Sequence, residues 1–246
     1  MFIRKKIVFK EINFFDLSYS NIKKNIKKGG LLVIPSGPGL STLEKDQQYH
    51  TALKNSDMAI LDSGYFCLLL KILKFIKAKK ISGYQFIKKF LNDKNIKNNK
   101  IFFVDPNKQE SIKNKKYLVS LKIKNSFHYI APVYKKTNIQ DLQLTKIIKK
   151  KRPKFIVINL GGNIQEILGY YLKRKIKFNP TIICSGAAIS FLTKQQAPIN
   201  DFYDKIYLGW LVRIIFNPKV FLPRYFKAFK LFFLVLKNEV KVIDIQ

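Results

Sequence analysis

Five short polar loops are the places in this 246-residue sequence where a ligand could be held. Each follows a short apolar run, and all but the third contain glycine: residues 35–39, 62–64, 105–106, 161–163 and 185–188. Glycine lets backbone N–H groups come close to a ligand, and a helix N-terminus after such a loop attracts phosphate. None of the loops matches a P-loop or a dinucleotide fingerprint, so the pattern predicts a ligand site without identifying the ligand.

The loops are positioned by alternating strands and helices. Apolar runs rich in Ile, Val and Phe predict strands over 31–35, 58–62, 101–104, 127–130, 155–160 and 181–185. Amphipathic stretches predict helices over 41–54, 65–76, 84–92, 109–122, 139–151 and 164–175, and residues 92–100 a surface linker. This alternation is typical of an α/β fold with a largely parallel sheet flanked by helices. In such sheets the ligand site lies at the carboxyl ends of the strands, where the five loops fall.

The charge is extreme. Lys and Arg total 47 against 15 Asp and Glu, a formal net charge of +32. Such a charge indicates an anionic partner: nucleic acid, a lipid surface or a phosphorylated substrate. An A/T-rich genome, which favours Lys, Asn and Ile codons, explains the excess equally well. A basic nucleic-acid-binding protein is therefore an alternative. However, the lysines are scattered and the aromatic residues form no recognisable binding motif, so we expect no specific nucleic acid partner.

The C-terminal fifth differs from the rest. Residues 205–238 contain no acidic residue, and Pro218 and Pro223 predict two helical pieces with interleaved cations and aromatics. We expect two domains, an α/β domain over 1–200 and a basic amphipathic helical appendage over 201–246 that lies on an anionic membrane surface. The alternative is an ordinary core helix with a solvated basic face. No signal peptide or spanning segment is predicted, so we expect a cytoplasmic protein, peripheral on the inner face of the cell membrane.

Five segments between residues 31 and 236 resemble, in order, motifs of a known family. They are residues 46–64, which end in Asp62-Ser63-Gly64; Lys80-Ile-Ser-Gly83-Tyr; residues 153–166, with Gly161-Gly162 and Gln165-Glu166; residues 185–192, with Gly186-Ala187, followed by Ala197-Pro198; and residues 209–218, with Arg213, followed by Arg224-Tyr225. Together they resemble the WecG/TagA/CpsF family of bacterial glycosyltransferases, glycosyltransferase family 26.

The resemblance implies a Rossmann-like fold, of the type called GT-E, with a C-terminal appendage that completes the site at the membrane. It implies an enzyme that moves a hexose, such as N-acetylmannosamine, from a UDP-sugar to a polyprenyl-pyrophosphate-linked sugar in cell-surface polysaccharide biosynthesis. Transfer would invert the anomeric centre without metal or other cofactor. A homo-oligomer remains open.

The resemblance also assigns roles to particular residues. Asp62 is the expected base that deprotonates the acceptor hydroxyl; its alternative role is a helix N-cap. Arg213 and Arg224 are expected to hold the diphosphate of UDP, since the sequence has no Asp-x-Asp pair for a metal. Their alternative is headgroup binding or solvation. Lys80 stands where the family has arginine and would act as a point charge.

The other predicted substrate-binding residues belong to the glycine-containing loops. Gln165 could bind a sugar or uracil edge, whereas Glu166 could instead complement a helix dipole and Gly186 and Ala187 could instead serve helix–strand packing. The full group comprises Ser36, Gly37, Ser63, Gly64, Gly83, Gly161, Gly162, Gln165, Glu166, Gly186 and Ala187. His50 and His128 receive no role.

The sequence also departs from the family pattern. Pro35-Ser36-Gly37 replaces a polar pair after the first predicted strand, Ser63 stands between Asp62 and Gly64, and Ser190 replaces an aspartate. These positions surround the expected sugar pocket. They leave open a divergent, non-catalytic member of the family.

Overall fold

The computed structural model describes residues 5–197, 201–205 and 209–245, with the side chain of Lys205 left out. In this part of the chain the strands are β1 (Lys5–Phe9), β2 (Ile12–Asp16), β3 (Gly30–Val33), β4 (Met58–Ile60), β5 (Ile101–Asp105), β6 (Ser126–Ile130), β7 (Phe155–Ile158), β8 (Thr181–Cys184) and β9 (Val240–Asp244). The helices are α1 (Tyr19–Ile26), α2 (Gly37–Leu40), α3 (Gln47–Lys54), α4 (Gly64–Lys74), α5 (Gly83–Asn92), α6 (Lys94–Lys97), α7 (Lys108–Ser120), α8 (Leu142–Lys151), α9 (Ile164–Lys175), α10 (Ala188–Leu192), α11 (Asp201–Lys205), α12 (Gly209–Phe216), α13 (Pro218–Ala228) and α14 (Lys230–Lys237).

The strands form one sheet in the order β6-β5-β7-β8-β3-β4-β2-β1-β9. β1 pairs antiparallel with β2 and β9, and the other neighbouring strands pair in parallel. The predicted α/β fold with a largely parallel, helix-flanked sheet is therefore confirmed. After β3 the chain forms β4 on one side of β3, and only much later forms β8 on the other side, so the direction in which strands are added reverses at β3. This reversal opens a crevice at the carboxyl ends of the strands.

The six predicted strands are β3 to β8, with ends displaced by one or two residues. The prediction missed β1, β2 and β9, which form the antiparallel end of the sheet. In β1 only Ile7 and Phe9 are buried, and the strand begins with two lysines. A five-residue alternation among charged residues is too short to predict a strand from sequence.

Two local predictions are wrong. Helix α3 begins at Gln47 rather than at residue 41, because Asp46 caps it: its Oδ1 accepts the Tyr49 N–H at 3.0 Å. The predicted surface linker at 92–100 instead contains α6. Ile96 in α6 is buried in the core beside Phe90 of α5, so this segment is part of the packed domain.

Helices cover both faces of the sheet. Along β5 the side chains alternate, so that Phe102 belongs to one apolar cluster and Phe103 to the other. β3, β4, β5, β7 and β8 are buried on both faces, which explains their continuous apolar sequences, whereas β6 at the edge of the sheet has no buried residue.

The C-terminal residues differ from the prediction of two helical pieces. Pro218 begins α13, where a missing N–H costs nothing, but Pro223 lies inside the same helix, and α12 and α14 are separate. Leu231 and Val235 of α14 are fully buried in the core, and β9 joins the sheet. The division at residue 200 stays a prediction, and residues 198–200, including Pro198 of the family motif, lie outside the described residues.

Candidate active site

A cavity of about 840 Å³ lies at the carboxyl ends of β3 and β4, facing α12 and α13. This is the edge of the sheet at which the sequence predicts a ligand site. Predicted site residues that line the cavity are Ser36, Gly37, Asp62, Ser63, Gly64, Lys80 and Arg213.

Asp62 is half-buried and lies two residues after the end of β4. Its Oδ1 accepts a hydrogen bond from the backbone N–H of Gly83, the first residue of α5, at 2.7 Å. Burial raises the pKa of this carboxyl, although the Gly83 N–H and the positive charges of Arg213 and Lys80 oppose the shift. The alternative interpretation, that Asp62 is the N-cap of the helix that follows it, is wrong. Ser63 takes that place, and Asp62 instead binds the N-terminus of α5.

The loops beside Asp62 are held by two serine caps. Ser63 Oγ accepts the Phe66 N–H at 3.1 Å and begins α4, while Ser36 caps α2 by accepting the Gly39 N–H at 3.3 Å. A Cβ on Gly37 would lie 2.8 Å from Ser63 Oγ. Glycine is therefore needed at position 37 because the loops after β3 and β4 touch there.

Lys80 lies on the cavity wall and forms an ion pair that the sequence did not predict. Its Nζ donates to Asp204 Oδ1 at 2.9 Å, and both side chains are only about a tenth exposed. Ser82 donates to the other carboxylate oxygen of Asp204 at 2.7 Å. The start of the C-terminal segment therefore contacts the α/β domain through a carboxylate in the cavity.

Arg213 on α12 supplies a guanidinium to the same cavity. Its Cζ lies 4.6 Å from the centre of the Phe191 ring, and Nη1 donates to Tyr225 Oη at 3.5 Å. Its buried Nε has no hydrogen-bond partner among the described residues. A buried donor of this kind is costly without a partner, which favours a ligand acceptor at this point.

A second group of predicted residues lies outside the cavity lining, around the loops after β7 and β8. Gln165 Oε1 accepts the Gly186 N–H at 2.6 Å, and Gln165 Nε2 donates to Glu166 Oε1 at 2.9 Å. Gly161 and Gly162 are exposed, and Ala187 is partly buried against the Phe191 cluster. Among the residues predicted for UDP, Arg224 also lies outside the cavity lining, exposed on α13 with its Cζ 5.8 Å from the Phe221 ring centre.

Glu166 is almost fully buried in the first turn of α9. Burial raises the pKa of Glu166 to about 7, although backbone N–H groups and Gln165 favour the ionised form. Its position near the N-terminus of α9 agrees with the alternative interpretation of a dipole complement. Its Oε2 has no hydrogen-bond partner among the described residues.

A buried network at the end of β5 includes His128, to which the sequence assigned no role. Its Nδ1 lies 2.6 Å from Asp105 Oδ2, while Asn114 and Asn159 donate to Oδ1 at 2.8 and 2.9 Å. Burial tends to raise the pKa of Asp105, but these hydrogen bonds outweigh it and the pKa is lowered. Asn159 also accepts from Ser185 Oγ at 3.1 Å. The network therefore joins the ends of β5, β7 and β8.

The sequence analysis did not predict several residues that line the cavity, among them Asp204, Ser82, Lys71, Lys77, Tyr84 and Trp210. Asp201 and Asp204 are the last acids before the acid-free C-terminal stretch, a signal that could have been noticed. The lysines give no such signal, because lysine occurs throughout the chain.

In residues 5–197, 201–205 and 209–245, no three His, Cys, Asp or Glu side chains are grouped so that they could hold a metal ion. None of the helices in that part of the chain has the length and apolar character that a membrane span requires.

The fold and the cavity define an α/β protein whose ligand site lies at the carboxyl edge of a parallel sheet and is bordered by C-terminal helices. The sequence pattern described as the Glycosyl transferase WecG/TagA/CpsF family matches residues 8–243. The chain therefore belongs to the WecG/TagA/CpsF family of glycosyltransferases, as the five motifs predict. No curated protein matches the chain significantly.

Proposed function

We propose that this protein is an inverting, metal-independent glycosyltransferase that uses a UDP-hexose, such as UDP-N-acetylmannosamine. Its acceptor would be a sugar on polyprenyl pyrophosphate, in cell-surface polysaccharide biosynthesis. One observation carries the proposal. Asp62 lies in the same cavity as Arg213 and Lys80, close enough for both cations to lower its pKa. The cavity thus contains both a candidate base and positive charges that can stabilise an anionic leaving group.

Asp62 is the proposed base. The acceptor oxygen attacks the anomeric carbon, its proton passes to Asp62, and the bond to the UDP oxygen breaks, so that UDP leaves with the electron pair from the opposite face. The pKa of Asp62 is raised by burial, which makes the carboxylate a stronger base than an exposed aspartate. Gly83 fixes one carboxylate oxygen and thereby orients the group.

Arg213 is the proposed partner of the departing diphosphate. Its guanidinium is held against Phe191 and can bind two phosphate oxygens at once. Lys71 and Lys77 add positive charge to the cavity, whereas the charge of Lys80 is paired with Asp204. Cations arranged in advance stabilise the developing charge of a leaving group without a metal ion.

The surface beside the cavity supports a lipid-linked acceptor. Trp210 and Phe229 line the cavity and are also 47% and 63% exposed. Other exposed apolar side chains on the C-terminal helices include Ile215, Phe216, Leu222, Phe226, Phe233 and Leu236. With Lys219, Lys227 and Lys230, this surface suits an anionic membrane. We place the enzyme on the cytoplasmic face of the cell membrane as a peripheral protein; the oligomeric state stays open.

The test is UDP release from a panel of UDP-hexoses, with a short-chain polyprenyl-pyrophosphate-linked GlcNAc as acceptor and EDTA present. Acceptor-dependent UDP release is the expected result. Tight binding of a UDP-sugar without turnover would instead show a non-catalytic family member. Activity that disappears in EDTA and returns with a divalent ion would contradict the metal-independent mechanism.

A further inference from the structure

Helix α11 is held to the cavity wall by Asp204. This carboxylate binds Lys80 through one oxygen and Ser82 through the other, at 2.9 and 2.7 Å. Lys80 Nζ also donates to the backbone carbonyl of Asp204 at 3.1 Å. The contacts are partly buried, and hydrogen bonds between charged groups are stronger than neutral ones in such surroundings.

A second carboxylate on the same helix repeats this attachment outside the cavity. Asp201 Oδ2 pairs with Lys88 Nζ at 2.6 Å, and Asp201 Oδ1 accepts from Gln85 Nε2 at 3.0 Å. Lys88 and Gln85 both belong to α5, the helix whose first N–H binds Asp62. Both acids of α11 therefore bind residues in α5 or just before it.

Helix α12, which follows α11 in the chain, needs such an attachment. It brings Trp210 and Arg213 to the cavity, yet none of its residues is buried. Apolar burial is the main force that fixes a helix on a domain, and α12 has little of it. Val212 packs against the small Phe191 cluster and Arg213 lies over the Phe191 ring, and the polar contacts of α11 add to these attachments.

We propose that Asp204 and Asp201 form a latch that positions α12, and with it Arg213, over the cavity. Both acids are positioning residues, and this inference rests on the proposed function for its effect on catalysis. The opposite role would be self-inhibition, in which Asp204 occupies Lys80 in place of a substrate phosphate. The Asp201 contacts favour the latch, because Lys88 and Gln85 do not line the cavity and so Asp201 cannot imitate a bound phosphate there.

Trp210, the single tryptophan of the sequence, reports on the latch without any substrate. The experiment compares the full-length wild type with Asp204→Asn and with Asp244→Asn, which changes an exposed acid on β9 that is not in the cavity lining. In Asp204→Asn we expect red-shifted Trp210 emission, stronger acrylamide quenching and about a tenfold loss of kcat/KM, the size expected when a charged hydrogen bond is lost. Asp244→Asn should match the wild type in all three.

A charge exchange separates positioning from general damage to the fold. Asp201→Lys alone should shift the Trp210 emission to the red and increase its quenching, because two positive charges then face each other at positions 201 and 88. Adding Lys88→Asp should restore the wild-type emission and quenching. Unchanged Trp210 signals in Asp204→Asn would overturn the latch. Tighter UDP binding with faster turnover in that variant would overturn it in favour of self-inhibition. If the wild type released no UDP, the proposed function would fail, and the fluorescence would still decide on the latch.

Discussion

Asp62 and Gly83 are joined by a hydrogen bond of 2.7 Å from the first N–H of α5 to the Asp62 carboxylate. The bond links the loop after β4 to the first residue of a separate helix. A helix N-terminus has free N–H groups and a partial positive charge, so it favours an ionised carboxylate. The backbone N–H of Gly83 thus orients the proposed base, and the side chains of Arg213 and Lys80 add positive charge near it.

Replacing Arg213 by lysine should lower kcat/KM for the UDP-sugar by about tenfold or more, because an ammonium cannot bind two phosphate oxygens in a fork. Steady-state UDP release measures the effect. The matched control is Arg174→Lys, which changes an exposed arginine whose Cζ lies 5.8 Å from the Tyr170 ring centre, away from the cavity. Equal kinetics in the two variants would argue against a role for Arg213.

Membrane binding should depend on the exposed side chains of the C-terminal helices. Truncation at Lys219 is a poor test, because it would remove β9 and the buried part of α14. The double variant Ile215→Ser/Phe226→Ser instead changes side chains that are 73% and 82% exposed. We expect it to bind anionic vesicles at least about tenfold more weakly in a sedimentation assay, since each apolar side chain buried on binding contributes about 1.5–3 kcal/mol and about 1.4 kcal/mol is a tenfold change in affinity.

The control for that experiment is Val119→Ser/Leu142→Ser, on α7 and α8, where the side chains are 71% and 75% exposed. This double variant removes the same number of exposed apolar side chains, on helices that are distant in sequence from the C-terminal helices. Equal vesicle binding by the two double variants would show that the surface of α12 and α13 does not face the membrane.

Gly169 packs α9 against the sheet. A Cβ there would lie 2.7 Å from Cys184 Sγ and 2.9 Å from Leu31 Cδ1. Overpacking of this kind typically costs about 1–3 kcal/mol, so Gly169→Ala should lower the free energy of unfolding by that amount despite the better helix propensity of alanine. Urea unfolding measures it. Gly161→Ala is the control, because a Cβ at Gly161 meets nothing within 4 Å, and it should leave the free energy of unfolding nearly unchanged.

Glu166 should make the protein less stable as the pH rises. Its pKa is about 7 in the folded chain against 4.5 for an ordinary glutamate side chain, so the folded state holds the proton more tightly. The stability that Glu166 contributes is complete below about pH 4.5 and is lost as the pH rises to about 7, a loss of about 3 kcal/mol by linkage. Glu166→Gln should remove this decline, which unfolding curves at pH 5 and pH 8 would show.

The control for the titration is Glu239→Gln, because Glu239 is an exposed acid beside Lys241. It should keep the wild-type difference in stability between the two pH values. If Glu166→Gln also kept the full difference, the decline would come from other groups.

The sequence predicts the parallel part of the fold well, because strands buried on both faces are continuous apolar runs, as in β5 and β7. Of the five loops predicted to hold a ligand, only residues 35–39 and 62–64 contribute to the cavity lining. The sequence does not predict β9 or the Lys80–Asp204 pair, which join residues far apart in the chain. Contacts of this kind depend on how the finished fold brings the segments together, and no local pattern marks one lysine among many.

The most direct test of the central claim is acceptor-dependent UDP release by Asp62→Asn beside Asp16→Asn. Asp16 is also half-buried, accepts one backbone N–H at 3.3 Å from Lys79, and has a pKa raised by burial, but it does not line the cavity. We expect Asp62→Asn to lose at least about a hundredfold in kcat, the usual contribution of a general base, with UDP binding retained. Asp16→Asn should remain active. Near-normal turnover by Asp62→Asn would contradict its role as the base.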